Sequence, residues 1–180
     1  MIYFFTPYAQ DKDLGRAYND YVKLILNLND WVCFIDGDFA MLTPDFGHQL
    51  QEIINSYPSI GLFTCYVNRV GNLKQCYRGQ LSEDPNILNH RKIALALSRG
   101  ENRTKIKEIS NPISGHLMLF KKETWQTVGG FPEGRGILSV DNTFSNRIAK
   151  KGFKIAIMEG VYCFHFYRMD TGRSDRSHLK

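Results

Sequence analysis

One stretch of the chain constrains the fold more than any other. Residues 31–38 read Trp-Val-Cys-Phe-Ile-Asp-Gly-Asp, an apolar run that stops at two acids separated by glycine. Such a run is typical of a strand buried on both faces of a sheet, whereas a buried carboxylate is costly unless it is paired or bound to a cation. We therefore expect the strand to end at Asp36, leaving Asp36 and Asp38 at its carboxyl end, where open α/β sheets bind ligands. This pair could hold a divalent metal and, through it, a phosphorylated substrate.

Length and composition are those of one ordinary globular domain. The chain has 180 residues, 43% of them hydrophobic and 23% charged, which is enough for a substantial core. No apolar run reaches the roughly 20 residues that cross a bilayer, and residues 1–7 lack the basic leader of a signal peptide. The four cysteines show no Cys-x-x-Cys spacing (Cys33, Cys65, Cys76 and Cys163). We expect reduced core cysteines in a cytoplasmic protein, without a zinc site or a disulfide framework.

The charge is basic and unevenly distributed. The formal net charge is +5 and the pI is about 9.0. Residues 91–107 carry six basic side chains and one acid, and residues 168–180 carry three arginines and a lysine. These stretches fit a solvated surface, or contact with a nucleotide diphosphate, nucleic acid or an anionic membrane.

Strands and helices alternate along the first part of the chain. Strands are expected at residues 2–5 and 60–67. Helices are expected at residues 14–28, from their apolar spacing, and at residues 43–56, with Thr43 as N-cap. This alternation favours a mainly parallel sheet with helices on its faces.

The second part begins with a polar segment, residues 68–112, in which we expect one helix at 87–98. We interpret this segment as an insertion on the acceptor side and not as a second domain. The later expected elements are a strand at 113–120, a helix at 122–128, a mobile loop at 131–139, a helix at 140–151, and strands at 154–158 and 161–166.

Two further residues could complete a site with Asp36 and Asp38. His165, in the last apolar strand, is either a core residue or a third metal ligand, and a nitrogen ligand would favour manganese over magnesium. Asp141 opens the helix at 140–151, where it is either a partner of the helix dipole or a general base. The arginines that follow His165 (Arg168, Arg173 and Arg176) could neutralise a leaving diphosphate, or belong to a frayed basic tail.

The order of these segments resembles glycosyltransferase family 2 and its relatives of the GT-A fold, in which an Asp-x-Asp motif follows a buried strand. Residues 13–19 (Asp-Leu-Gly-Arg-Ala-Tyr-Asn) are similar to the family's Asn-x-Gly-x-Ala-x-Asn segment. Residues 114–122 and 128–131 are similar to its acceptor-side segment, and Val140-Asp141-Asn142 stands where the family has Glu-Asp. Residues 151–155 and the strand that ends at His165 match its closing element.

The resemblance implies one domain over residues 1–180, a GT-A-like three-layer α/β/α sandwich with a mainly parallel central sheet. It implies an inverting transfer of a sugar from a nucleotide sugar, UDP-linked, to an acceptor hydroxyl. Asp38 and His165 would hold Mn²⁺ or Mg²⁺, Asp36 would contact the ribose or sugar, and Asp141 would be the general base. The other implied contacts are Thr6, Pro7, Tyr8, Gly15, Arg16 and Arg168 for the donor, and Gly115 and His116 on the acceptor side.

The sequence also departs from the family pattern. The part before the metal strand is shorter than usual, which leaves the nucleotide base open, and Val140 replaces the usual glutamate. The implied acceptor is a saccharide or a lipid-linked sugar, with modified DNA as an alternative suggested by the basic stretch. Two other functions remain open, a non-catalytic nucleotide-sugar-binding module and a metal-dependent phosphoryl-transfer enzyme.

Overall fold

The strand predicted before Asp36 lies in the middle part of a seven-stranded sheet. The computed structural model describes residues 1–110 and 112–167, and in it this strand ends at Ile35. The strands are β1 (Ile2–Phe5), β2 (Trp31–Ile35), β3 (Phe39–Met41), β4 (Ile60–Val67), β5 (Ile106–Ile109), β6 (Leu117–Lys121) and β7 (Lys154–His165). The helices are α1 (Leu14–Lys23), α2 (Phe46–Ser56), α3 (Ile87–Leu97), α4 (Lys122–Val128) and α5 (Val140–Lys150), with short 3₁₀ turns at Leu73–Gln75, Tyr77–Gly79 and Gly100–Thr104.

The sheet is mixed. Its strand order is β1-β2-β6-β4-β7-β3, and β5 pairs with β7 beside this path. Among the described residues, β1–β2 and β4–β7 pair in parallel, whereas β2–β6, β4–β6, β3–β7 and β5–β7 are antiparallel. The prediction of an α/β protein is confirmed, but that of a mainly parallel sheet is not, because β3, β5 and β6 all run against their neighbours.

Helices cover both faces of the sheet. Along β2, Trp31 and Cys33 join a buried cluster that includes side chains of α2, whereas Val32 and Phe34 join a cluster with side chains of α1, α4 and α5. This alternation is what a strand buried on both faces requires. All four cysteines are buried, which confirms that they belong to the core.

Two predicted helix boundaries are wrong. The first helix ends at Lys23 instead of residue 28, and Leu26 is 93% exposed, so its apolar side chain does not continue the buried face. The second helix begins at Phe46 with Asp45, not Thr43, as N-cap. The carboxylate of Asp45 makes no capping bond and instead pairs with Arg103.

The strands also differ from prediction. The strand expected at 113–120 begins only at Leu117, because the preceding Ser114 and Gly115 donate their backbone N–H groups to side chains instead of to a strand. The two expected last strands form one, β7. It runs through Gly160, where a Cβ would lie 2.2 Å from the carbonyl oxygen of Asn102.

The polar segment 68–112 packs against the main sheet. Its strand β5 pairs with the first half of β7. Its helix α3 is attached to β7 through His90, whose Nδ1 accepts a hydrogen bond from the Tyr162 hydroxyl at 2.6 Å while Nε2 donates to the carbonyl of Asp84. Within the part of the chain that the structure describes, no helix combines the length and apolar character needed to span a membrane.

Candidate metal centre and adjoining cavity

The short strand β3 places Asp38 beside His165. In its antiparallel pairing with β7, Phe39 lies opposite His165, and the Phe166 N–H donates to the carbonyl of Asp38 at 3.0 Å. Asp36 follows β2, and its N–H donates to the carbonyl of His116 at 3.2 Å. Asp36, Asp38 and His165 therefore meet because three strand ends converge. The sequence predicted the three residues but missed β3.

The three side chains form a group that fits one metal ion. Nε2 of His165 lies 3.2 Å from Oδ1 of Asp38 and 3.6 Å from Oδ2 of Asp36. One ligand atom from each residue lies within 4.8 Å of the others, close to the span of two ligands across an ion with bonds of about 2.1–2.3 Å. Two carboxylates suit Mg²⁺ or Mn²⁺, and the imidazole nitrogen favours Mn²⁺ of these two.

The orientation of His165 is set by residues that sequence reasoning missed. Nδ1 of His165 lies 2.9 Å from the carbonyl oxygen of Arg69, which can only accept, so Nδ1 carries a proton and Nε2 faces the carboxylates. Asn68 bonds both the N–H and the carbonyl of His165. Such a carbonyl partner is the usual support of a metal-binding histidine. Asn68 and Arg69 directly follow the buried strand β4, as Asp36 follows β2, and this position is the signal that could have found them.

Without a metal, Asp36 and Asp38 favour the protonated form of His165. Burial alone lowers the pKa of His165, but hydrogen bonds to Asp36 and Asp38 outweigh it and raise the pKa to about 9. The Nε2–H of the imidazolium is thus directed at the two carboxylates that would hold a metal with it. Beside it, burial and then the charge of His165 lower the pKa of His116 to about 3.

His116 lies behind His165. It is 1% exposed, its ring centroid is 5.8 Å from that of His165, and its Nε2 donates to the carbonyl of Cys65 at 3.2 Å. Its Nδ1 is buried and has no hydrogen-bond partner among the described residues. The neutral ring therefore supports His165 without adding charge to the metal centre.

Asp141 lies in the first turn of α5, at the edge of the same site. Its Oδ2 accepts from the N–H of Gly115 at 2.7 Å, and its Oδ1 accepts from the N–H of Asn142 at 2.8 Å. Burial raises the pKa of Asp141, the two N–H groups oppose this, and the charge of Asp36 adds to it. Gly115 is required here, because a Cβ on it would lie 2.9 Å from Cβ of Asp141.

A cavity of about 590 Å³ connects these groups. Asp36, His165 and Asp141 line it together with Gly115, His116 and Tyr18. The loop that follows α4 closes one side through Ile137, Leu138 and Ser139. The volume falls within the range of about 300–1,000 Å³ that is usual for small-molecule sites.

Tyr18 contributes a hydroxyl that sequence reasoning did not assign to the site. The residue is 5% exposed, and its ring stacks on Phe34 with centroids 4.6 Å apart. Burial raises the pKa of Tyr18, as do the charges of Asp36 and Asp141. Because no described residue makes a hydrogen bond to this hydroxyl, it is available to a molecule in the cavity.

The other residues predicted for the donor have different surroundings. Thr6 lies beside the metal centre, since a Cβ on Gly37 would be 3.7 Å from its methyl group, and Pro7 follows it in the same loop. Tyr8 and Arg16 line a separate groove of about 610 Å³ beside α1. Gly15 is pressed against the loop after α4, because a Cβ on it would be 1.8 Å from the carbonyl oxygen of Pro132.

The predicted roles of Arg168, Arg173 and Arg176 lie outside the described residues. Comparison with known proteins adds no assignment: the sequence matches no protein-family model, and a search of curated proteins gives no significant match. The resemblance to glycosyltransferases consequently rests on the sequence motifs and on their order along the chain.

Proposed function

We propose that the chain is a metal-dependent glycosyltransferase that moves a sugar from a nucleotide-diphosphate sugar to an acceptor hydroxyl. One observation carries the proposal: two members of the candidate metal group, Asp36 and His165, line the same cavity as Asp141, and Asp38 completes the group beside them. The cavity therefore combines a place for a divalent ion with a candidate base, the two components that direct displacement at a sugar carbon needs.

Asp38 and His165 would bind the ion, Mn²⁺ or Mg²⁺, and Asp36 would complete the ligand set or contact the donor ribose. When bound, the metal would act as a Lewis acid that neutralises charge on the leaving diphosphate. The protein's own contribution is orientation, because Arg69 and Asn68 hold the imidazole with Nε2 toward the carboxylates.

Asp141 would accept the proton of the acceptor hydroxyl. Its two N–H partners hold the carboxylate in one orientation, and its raised pKa makes it a better proton acceptor than an exposed aspartate. Attack opposite the leaving group would invert the anomeric centre.

The proposed fold is GT-A-like, the proposed donor is UDP-linked, and the proposed location is the cytoplasm. For the acceptor we propose a saccharide or a lipid-linked sugar. The cavity beside Asp141 is open to solvent and its rim includes the half-exposed Leu138, an arrangement that suits a sugar ring better than a flat duplex.

The test is a donor panel. The purified chain is incubated with MnCl₂, each of several UDP-sugars and a mixture of saccharide acceptors, and glycosylated acceptor, UDP, UMP and free sugar are measured. We expect UDP release with one donor, abolished by EDTA and by Asp38→Ala. Asp141→Asn should abolish release while Mn²⁺ and donor binding persist, and the exposed Glu101→Gln serves as matched control.

The products distinguish the alternatives. Tight donor binding without UDP or free sugar would favour a binding module. UMP with sugar 1-phosphate would favour phosphoryl transfer, because the cleaved bond then lies between the phosphates. Full activity in both Asp38→Ala and Asp141→Asn would rule out the proposed mechanism.

A further inference from the structure

A second cavity, which we call the basic groove, lies apart from the metal centre. It has a volume of about 550 Å³ and is lined by residues of the segment 74–79 and of β5. Three exposed cations, Lys74, Arg78 and Lys107, line it together with Tyr66 and Ser110. The cations come from two segments far apart in the sequence, so the groove is a product of the fold.

The charge in the basic groove is not balanced. Its single lining acid among the described residues is Glu108, and Oε1 of Glu108 is held by Nζ of Lys154 at 2.7 Å. None of the three groove cations forms an ion pair with another described residue. Like charges gathered around one cavity repel one another, and an anion in the groove would remove that repulsion.

Arg78 is held in the basic groove by an unfavourable backbone conformation. Its φ of 58° and ψ of 18° are left-handed, a conformation that side chains other than those of glycine, asparagine and aspartate rarely adopt. The guanidinium lies over the ring of Tyr77, 5.1 Å from the centroid. A left-handed conformation at such a residue costs free energy, so it persists only because the surrounding structure imposes it.

The segment that carries Lys74 and Arg78 is anchored between the two cavities. The buried Gln75 donates to the Thr64 hydroxyl at 2.8 Å, and its Oε1 accepts from the N–H of Ser114 at 2.7 Å. Ser114 itself lines the cavity beside the metal centre. These hydrogen bonds fix the backbone that carries Lys74 and Arg78, so less conformational entropy is lost when a ligand binds.

We infer that the basic groove is a binding site for the phosphate group of a small phosphorylated molecule. One guanidinium and two ammonium groups can together neutralise the double charge of a phosphate, and a guanidinium can bind two phosphate oxygens at once. The cavity has the volume of a small-molecule site. The site is separate from the metal centre and does not depend on the proposed glycosyl transfer.

The test uses pyrophosphate as probe, with EDTA present so that no metal-held phosphate contributes. Calorimetry at low salt should show one bound pyrophosphate per chain. Arg78→Asn and Lys107→Gln should each weaken binding at least tenfold. Arg78→Asn should leave the melting temperature unchanged or higher, because asparagine tolerates a left-handed backbone.

Matched controls distinguish binding in the basic groove from a general effect of the protein's positive charge. Lys12 has the same left-handed backbone, with φ of 61°, but lies outside the groove, so Lys12→Asn should keep full binding. Lys150→Gln removes an exposed lysine elsewhere, and Asp38→Ala alters the metal centre, and both should also bind normally. If Asp38→Ala still binds pyrophosphate, the basic groove binds phosphate independently of the proposed glycosyl transfer.

Three outcomes would overturn the inference. One is no pyrophosphate binding by the wild-type chain at millimolar concentration. Another is an equal loss of pyrophosphate affinity in the groove variants and in the two controls, Lys12→Asn and Lys150→Gln. The third is binding of single-stranded oligonucleotide or of phosphatidylglycerol vesicles far tighter than pyrophosphate and sensitive to the groove variants, which would assign the groove to a macromolecule or a membrane surface.

Discussion

Asn68 bonds both main-chain polar groups of His165. Its Nδ2 donates to the His165 carbonyl at 3.1 Å, and its Oδ1 accepts from the His165 N–H at 2.7 Å. The pair lies 97 residues apart in the chain, and both hydrogen bonds are buried. Asn68 therefore fixes the end of β7 from which the imidazole projects, and the geometry of the metal centre depends on an amide that is not itself one of the three candidate ligands.

The first prediction concerns this amide. Asn68→Ala leaves two buried backbone groups of His165 without partners, and each such loss costs about 1–3 kcal/mol. We expect the free energy of unfolding to fall by about 3 kcal/mol and Mn²⁺ affinity to fall about 10–100-fold, as for other residues that support metal ligands. Urea denaturation and calorimetry with MnCl₂ measure the two effects.

Asn86→Ala is the control for this prediction. Asn86 caps α3 by accepting from the N–H of Leu88 at 3.0 Å, and its loss should cost about 1 kcal/mol. It should leave Mn²⁺ affinity unchanged. Equal Mn²⁺ affinities in the two variants would show that Asn68 has only a structural role.

The second prediction concerns pH. In the metal-free protein His165 faces the carboxylates of Asp36 and Asp38 and the neutral His116, and its pKa of about 9 is higher than the usual 6.5. A raised folded-state pKa stabilises the protein fully below about pH 6.5, and the stabilisation is lost as pH rises through 9. The melting temperature of the metal-free protein should therefore fall between pH 7 and pH 9.

The affinity for metal should rise with pH, whereas the stability of the metal-free protein falls. The ion must displace the Nε2 proton, so Mn²⁺ affinity should rise roughly tenfold per pH unit from pH 6 to 8, with about one proton released per ion. Calorimetry in buffers of different ionisation enthalpy counts that proton. His165→Gln should lose both trends, and their persistence in this variant would assign the titration to another group.

The residues of the candidate site were easier to predict than their arrangement. Asp36 and Asp38 stand out because acids interrupt an apolar strand, and His165 because it ends another. Their proximity depends on β3, a three-residue strand too short to produce a periodic signal. Gly160 looks like a turn in the sequence, but the structure requires it for packing within a continuous β7.

The buried polar residues that support the site were difficult to predict for a different reason. Asn68, Arg69 and Gln75 look like ordinary loop residues in a polar segment, yet they are 1%, 3% and 0% exposed. Their burial is possible only because each finds hydrogen-bond partners in distant parts of the chain. The position of Asn68 and Arg69 directly after β4 marks them as candidates, but their hydrogen-bond partners are set by tertiary structure and cannot be inferred from the local sequence.

The third prediction concerns the hydroxyl of Tyr18. Tyr18→Phe preserves the ring, which stacks on Phe34 and packs at a tilt against Phe131, and removes only the hydroxyl facing the cavity. Since that hydroxyl has no described hydrogen-bond partner, stability should change by less than about 1 kcal/mol. If it bonds a substrate, kcat/KM should fall about 10-fold or more, whereas unchanged kinetics with every active donor and acceptor would exclude the contact.

The last prediction concerns Gly15, in the first turn of α1. In a helix alanine is normally better than glycine, but here a Cβ would lie 1.8 Å from the carbonyl oxygen of Pro132. To remove this clash, α1 must move away from the loop that closes the cavity. Gly15→Ala should therefore lower the free energy of unfolding by about 3 kcal/mol. Gly47→Ala in α2 is the matched control, since a Cβ there would meet no other atom within 4 Å, and it should stabilise by about 0.5 kcal/mol. Chemical denaturation of both variants measures the difference, and an unchanged free energy of unfolding in Gly15→Ala would mean that the loop moves away at little cost.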